Sequence, residues 1–182
     1  MLYTLGVTPE RPPLVALAPD NVFHVTSLSK TMTSGLRLGV LVLPPKWISR
    51  AEEALQILPL AASPLDYALL EEWFSSGVVD ATRVSLQTEA ERRANLVISL
   101  LPNRKVVTDP TAFHAWMPMP HAQAETFAAS AELMGVLVTR PDAVRANPED
   151  GDTGIRLCLG SPSLDELSRG LSILAKFRSG AL

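Results

Sequence analysis

The stretch VTSLSKTMTSGLRLGV, residues 25–40, sets Lys30 among small hydroxyl residues, with Ser27 and Ser29 before it and Arg37 seven positions after it. Apolar residues flank this loop: Val22, Phe23 and Val25 on one side, Leu36, Leu38 and Val40 on the other. The pattern predicts two buried strands with a lysine between them, and burying a lysine is costly unless chemistry requires it. Two chemistries do. One sets the ammonium beside a phosphate; the other keeps the amine desolvated and neutral, so that it attacks a carbonyl and forms a Schiff base. Arg37 and the hydroxyls suit the phosphate, because a guanidinium matches phosphate oxygens while hydroxyls and loop amides supply the remaining bonds.

Pyridoxal 5′-phosphate (PLP) carries both an aldehyde and a phosphate, so one small molecule satisfies the whole loop. The elements that must hold the loop read clearly on either side. NVFHVTSL is a strand, and LRLGVLVLPP is a second strand stopped by two prolines. A helix follows from Trp47 to Leu58, ended by Pro59. The next opens at SPLD, with Ser63 as cap, Pro64 in the first turn and Asp66 at the positive end of the dipole, and runs to about Gly77. A charged helix over residues 82–101 carries EAERR on its wet face and connects to a second part. There KVVT, FHAWMPM, VLVT and GIRLCLG read as strands. AQAETFAASAELMG is a helix closed by Gly135. The final helix has capping-box spacing at Ser163 and Glu166, with Leu164, Leu167, Leu171 and Leu174 as its apolar stripe.

Composition narrows the function. A formal charge of -3 with no basic run argues against a nucleic-acid face on this chain. The uncharged apolar run ALQILPLAASPL is broken by Pro59 and Pro64, so no membrane span is expected. The lone Cys158 forms no internal disulfide and no secretory signal opens the chain, which predicts a cytoplasmic setting. His24, His114 and His121 lack ligand spacing, so no metal site is expected. Trp116, Met117 and Met119 read as strand packing, with backbone near enough to line a pocket.

SLSKTMTSGLRLG resembles the cofactor-lysine signature of class I/II aminotransferases, the fold type I PLP enzymes. WFSSG, AERR, AFHAWMPMP, MGVLVT and IRLCLG are similar, in order and spacing, to the aminotransferase-like half of the MocR group of GntR-type regulators and to its free-standing aminotransferase relatives. The resemblance implies an α/β chain: the C-terminal part of the fold type I large domain plus the small α/β domain. Residues 1–60 would be a remnant of the PLP-binding domain, 61–101 a helical connector and 102–182 the small domain. It implies that Lys30 bonds the cofactor and moves protons at the substrate carbon, and that Ser27 and Arg37, helped by Ser29, bind its phosphate. By the same likeness Tyr3 meets the ring oxygen and Arg156 grips the substrate carboxylate.

The resemblance also sets an expectation of incompleteness. Met1 stands where the MocR branch places the aspartate that pairs with the pyridine nitrogen, and MLYTLGV enters apolar sequence at once, as a fragment would. The implied activity is PLP-dependent amino-group transfer between an amino acid and a 2-oxo acid, impaired in the isolated chain. The chain would be completed by a second copy in a homodimer or by a missing N-terminal half. The competing reading is the effector domain of a MocR/GntR-type regulator that meets DNA only through a separate N-terminal domain, and a blander one is an inactive remnant.

Overall fold

The computed structural model describes residues 12–29, 31–33, 35–57, 63–144 and 152–177. The chain divides into two compact units, with the boundary between Leu86 and Gln87 inside the longest helix.

In the first unit a single turn, α1 (Leu14–Leu17), follows Pro12 and Pro13. The strands β1 (His24–Ser27) and β2 (Gly39–Val42) pair antiparallel, with His24 opposite Val42 and Ser27 opposite Gly39. Pro44 and Pro45 end this pairing, since neither has an N–H to donate, and Pro45 starts a 3-10 turn, Pro45–Trp47, that feeds α2 (Ile48–Ile57). Trp47 is anchored by Phe23, ring centroids 5.9 Å apart. Helix α3 (Pro64–Ser75) begins with proline in its first turn. Ser63 stands at the cap but makes no side-chain capping bond, contrary to the sequence expectation; its carbonyl serves instead, accepting from Asp66 N at 3.0 Å. Gly77, at φ 78°, makes the left-handed break before α4 (Val78–Leu100).

The predicted burial of the two strands is not met. Leu36 and Leu38 are buried, yet Phe23, Val25, Val40, Leu41 and Val42 are exposed. A two-stranded ribbon buries side chains only where a layer lies against it, and the described residues of this unit leave these five exposed, Phe23 included although Trp47 packs on one side of it.

The second unit is built on an antiparallel sheet in the order β3 (Val107–Thr108), β4 (His114–Pro120), β5 (Asp152–Cys158). Strand alternation sends Ala115, Met117, Ile155 and Leu157 to one face. There they join Ala124, Phe127, Ala128 and Ala131 of α5 (His121–Leu133), Leu167, Leu171 and Leu174 of α6 (Leu164–Ala175), and Val97 near the end of α4 in one core. Each large side chain so buried contributes roughly 1.5–3 kcal/mol of transfer free energy. Helix α5 ends in a Schellman arrangement: Gly135 takes φ 79°, its N–H donates to Glu132 O at 2.9 Å, and Val136 N–H donates to Ala131 O at 2.8 Å. Helix α6 carries the expected capping box, with Ser163 Oγ accepting from Glu166 N and Glu166 Oε2 accepting from Ser163 N at 2.8 Å.

Two features differ from the sequence reading. VLVT forms no strand; only Thr139 bridges, to Arg156. The EAERR face of α4 is not uniformly wet either. Ala90 is buried, and the Arg93 side chain is only 11% exposed, paired with Glu89 and donating to Pro162 O at 2.7 Å and to Leu159 O. That guanidinium ties the loop after β5 to α4. Arg104 plays a similar part at the other end of α6, donating to the carbonyls of Leu174 and Phe177 while burial lowers its pKa.

Candidate functional site

The loop after β1 folds tightly on itself. Ser29 N–H donates to Ser27 Oγ at 3.2 Å, Met32 N–H donates to Leu28 O at 2.9 Å, and Leu28 N–H donates to Leu38 O at 3.2 Å. Ser27 Oγ–H reaches Leu38 O at 3.4 Å, a long bond that a stronger acceptor such as a phosphate oxygen would displace. Arg37 lies two residues before β2 and not within it. It is exposed, forms no ion pair among the described residues, and holds φ 51°, the left-handed region that a side chain bearing a Cβ adopts at a cost of about 1–2 kcal/mol. Ser27, Ser29 and Arg37 therefore bracket one loop. Lys30 and Tyr3, the other residues singled out in this region, lie outside the described residues.

Arg156 belongs to the second unit, on the sheet face opposite the core. Its Nη2 donates to Thr139 Oγ1 at 3.4 Å, and its Nε is buried with no hydrogen-bond partner. A buried, unpartnered guanidinium N–H is costly and suits an incoming carboxylate, which accepts in a fork. Directly across the strand pair stands Trp116. Its ring lies over Gly154, so closely that a Cβ there would come within 2.6 Å of Trp116 Cζ2 and 2.3 Å of Met117 O. Neither Thr139 nor Gly154 drew attention in the sequence. The alternation of Gly154, Arg156 and Cys158 in GIRLCLG was the available signal for the glycine; Thr139 arrives through tertiary structure alone.

The fold also brings His121 to Asp142 at 2.9 Å, with Glu125 one turn along α5, so their ligand-type atoms lie within 4.8 Å of one another. Asp142 meets His121 there, while Glu125 and Glu132 share Arg140 at 3.3 and 2.8 Å.

This architecture is that of the fold type I PLP-dependent aminotransferases, over the C-terminal part of the fold. Three solved structures illustrate the likeness. An archaeal alanine:glyoxylate aminotransferase matches with TM-score 0.77 and 20% identity over 93% of this chain and 44% of its own. LysN, the α-aminoadipate aminotransferase from Thermus thermophilus, complexed with N-(5′-phosphopyridoxyl)-L-leucine, matches with TM-score 0.73 and 21% identity over 95% of this chain and 46% of its own. A kynurenine aminotransferase from Pyrococcus horikoshii reaches TM-score 0.80 at 18% identity, over 95% and 44%. Among curated proteins, the HTH-type transcriptional regulator YdeF of Bacillus subtilis is 27% identical over 91% of this chain and 36% of its own length. A second regulator of that organism, YdfD, is 26% identical over 83% and 32%. The chain thus spans about a third of the length of these curated relatives. No protein-family model matches it. No helix among the described residues is long and apolar enough to cross a membrane.

Proposed function

We propose that this chain is part of a PLP-dependent amino-acid site that transfers an amino group between an amino acid and a 2-oxo acid. The observation that carries the reading is a guanidinium without an ion pair among the described residues, Arg37, held in a left-handed backbone on the hydroxyl loop that contains Lys30. In this assignment Ser27, Ser29 and Arg37 bind the phosphate dianion, Lys30 takes the aldehyde carbon, and Tyr3 meets the ring oxygen. Arg156 orients the substrate through its carboxylate, and its orphaned Nε fits that role. Lys30 also carries the proton at the α-carbon. When bound, PLP supplies the electron sink for that step.

The exposed apolar side chains of β1 and β2 support a further part of the reading: the first unit is covered by the remainder of the fold, an N-terminal half or a second copy. A cytoplasmic setting belongs to the same reading.

A second reading has an observation of its own. Both curated relatives are HTH-type transcriptional regulators, which favours an effector domain that binds PLP and an amino acid as a signal, with DNA bound by a separate N-terminal domain. The coding sequence upstream separates the two readings, since one expects a helix-turn-helix domain there and the other a plain aminotransferase start.

Titrating PLP into the purified chain and following the absorbance of bound cofactor tests the shared core of both. Lys30→Ala should abolish the signal at unchanged circular dichroism. A Lys30→Ala chain that binds PLP as the parent does would overturn the assignment.

A further inference from the structure

The strand registers of the second unit align four residues in one row across the open face of its sheet. Val107 stands opposite Trp116, Trp116 opposite Arg156, and Arg156 opposite Thr139. Residues directly opposite share a face, and neighbouring strands lie about 4.8 Å apart, so the row runs from an apolar end to a cationic end over roughly 14 Å. Val107 is exposed and Trp116 half-buried, so the apolar end is open to a ligand. Gly154 fixes the direction of the indole, since only a residue without a Cβ leaves room for the ring.

The cationic end holds one charge. The other described guanidiniums that pair in this unit are engaged elsewhere: Arg92 and Arg93 with Glu89, Arg104 with the end of α6, and Arg140 with Glu125 and Glu132. We propose that this row selects the substrate class: an amino acid with a single carboxylate, held at Arg156, and an apolar or aromatic side chain laid along Trp116 toward Val107. Thr139 is a positioning residue that aims the guanidinium through its hydroxyl. A second carboxylate on the ligand would lie against the indole and Val107, with no cation in the row to pair it and apolar surface in place of part of its hydration, which is the basis of the discrimination. The inference rests on the proposed role of Arg156.

The test uses the full chain without PLP, with simple carboxylates as probes. Each of the three tryptophans gives one indole N–H resonance, and Trp116→Phe assigns the one that matters. The expected result, recorded at pH 8 where an ordinary histidine is uncharged, is that 3-phenylpropanoate shifts the Trp116 resonance with at least about tenfold higher affinity than succinate. Trp116→Leu, which keeps an apolar side chain on Gly154 and is followed by calorimetry because it removes the indole reporter, should weaken 3-phenylpropanoate about three- to tenfold and leave acetate unchanged. Arg156→Gln should remove binding of every carboxylate. Thr139→Val should weaken all of them alike, and Thr139→Ser should restore them, which a purely structural role would not produce. Equal affinity for succinate and 3-phenylpropanoate, both lost in Arg156→Gln, overturns the selectivity and leaves the carboxylate role of Arg156 standing. Binding that survives Arg156→Gln, or no binding of any carboxylate, overturns both.

Discussion

Replacing Gly154 by alanine is the sharpest structural test of the second unit. The added Cβ would sit 2.3 Å from Met117 O, 2.6 Å from Trp116 Cζ2 and 2.8 Å from Trp116 Cε2. The first of these is backbone of the central strand, paired in register with β5, so it cannot rotate away as a side-chain tip can. Either β4 and β5 separate locally or the indole leaves its seat and the carbonyl still crowds the methyl. Overpacking of this kind costs about 1–3 kcal/mol, and contact with backbone places this site at the upper end, near 3 kcal/mol. For a unit of this size each kcal/mol moves the midpoint by about 4–8 °C, so the melting temperature should fall by roughly 12–24 °C. Urea unfolding followed by circular dichroism and by indole fluorescence measures the loss and reports the displaced ring in the same experiment. A Gly154→Ala chain with the stability and tryptophan spectrum of the parent would refute the packing of Trp116 on β5 and, with it, the row across the open face.

Arg93→Ala removes the donors that satisfy the carbonyls of Leu159 and Pro162, and should cost about 3 kcal/mol in urea unfolding; a neutral result would show that α4 does not anchor that loop. Arg37→Gly relieves the left-handed strain at φ 51° and should stabilise the chain by about 1 kcal/mol while weakening PLP affinity, two effects of opposite sign read by melting and by titration. The Ser163 hydroxyl, then its backbone N–H, hold the Glu166 carboxyl below its ordinary value of 4.5. Because the folded pKa lies below the unfolded one, the capping box contributes fully above about pH 5 and is lost as pH falls through the folded value. Glu166→Gln should therefore flatten the acid limb of the stability profile, and an unchanged limb would count against the box.

The elements that the sequence made legible are those defined by local rules. Helix α6 announced itself through Ser163, Glu166 and its leucine stripe, and α5 through Gly135, because caps and periodicity act within a few residues. The strand order could not be read that way, since register is set by partners distant in sequence. Arg93 was misread for a related reason. A charged triplet looks solvated until a neighbouring loop offers two carbonyls, and then the guanidinium turns inward. Val25, Val40 and Val42 carry the composition of a buried sheet, yet burial depends on a covering layer, which the described residues of the first unit do not contain. At the candidate site, Ser27, Ser29, Arg37 and Arg156 were suggested by spacing and family likeness, whereas Thr139 emerged only from the bridge that pairs it with Arg156.

The central claim is that one amine of this chain captures the cofactor aldehyde. The chain has four lysines, Lys30, Lys46, Lys105 and Lys176, so the claim can be read out directly. Purified protein is incubated with PLP, reduced with borohydride, digested and mapped by mass spectrometry. The expected result is a phosphopyridoxyl group on Lys30 at substoichiometric PLP, with the other three unlabelled. Label shared evenly among the four, or concentrated on Lys46, Lys105 or Lys176, contradicts it.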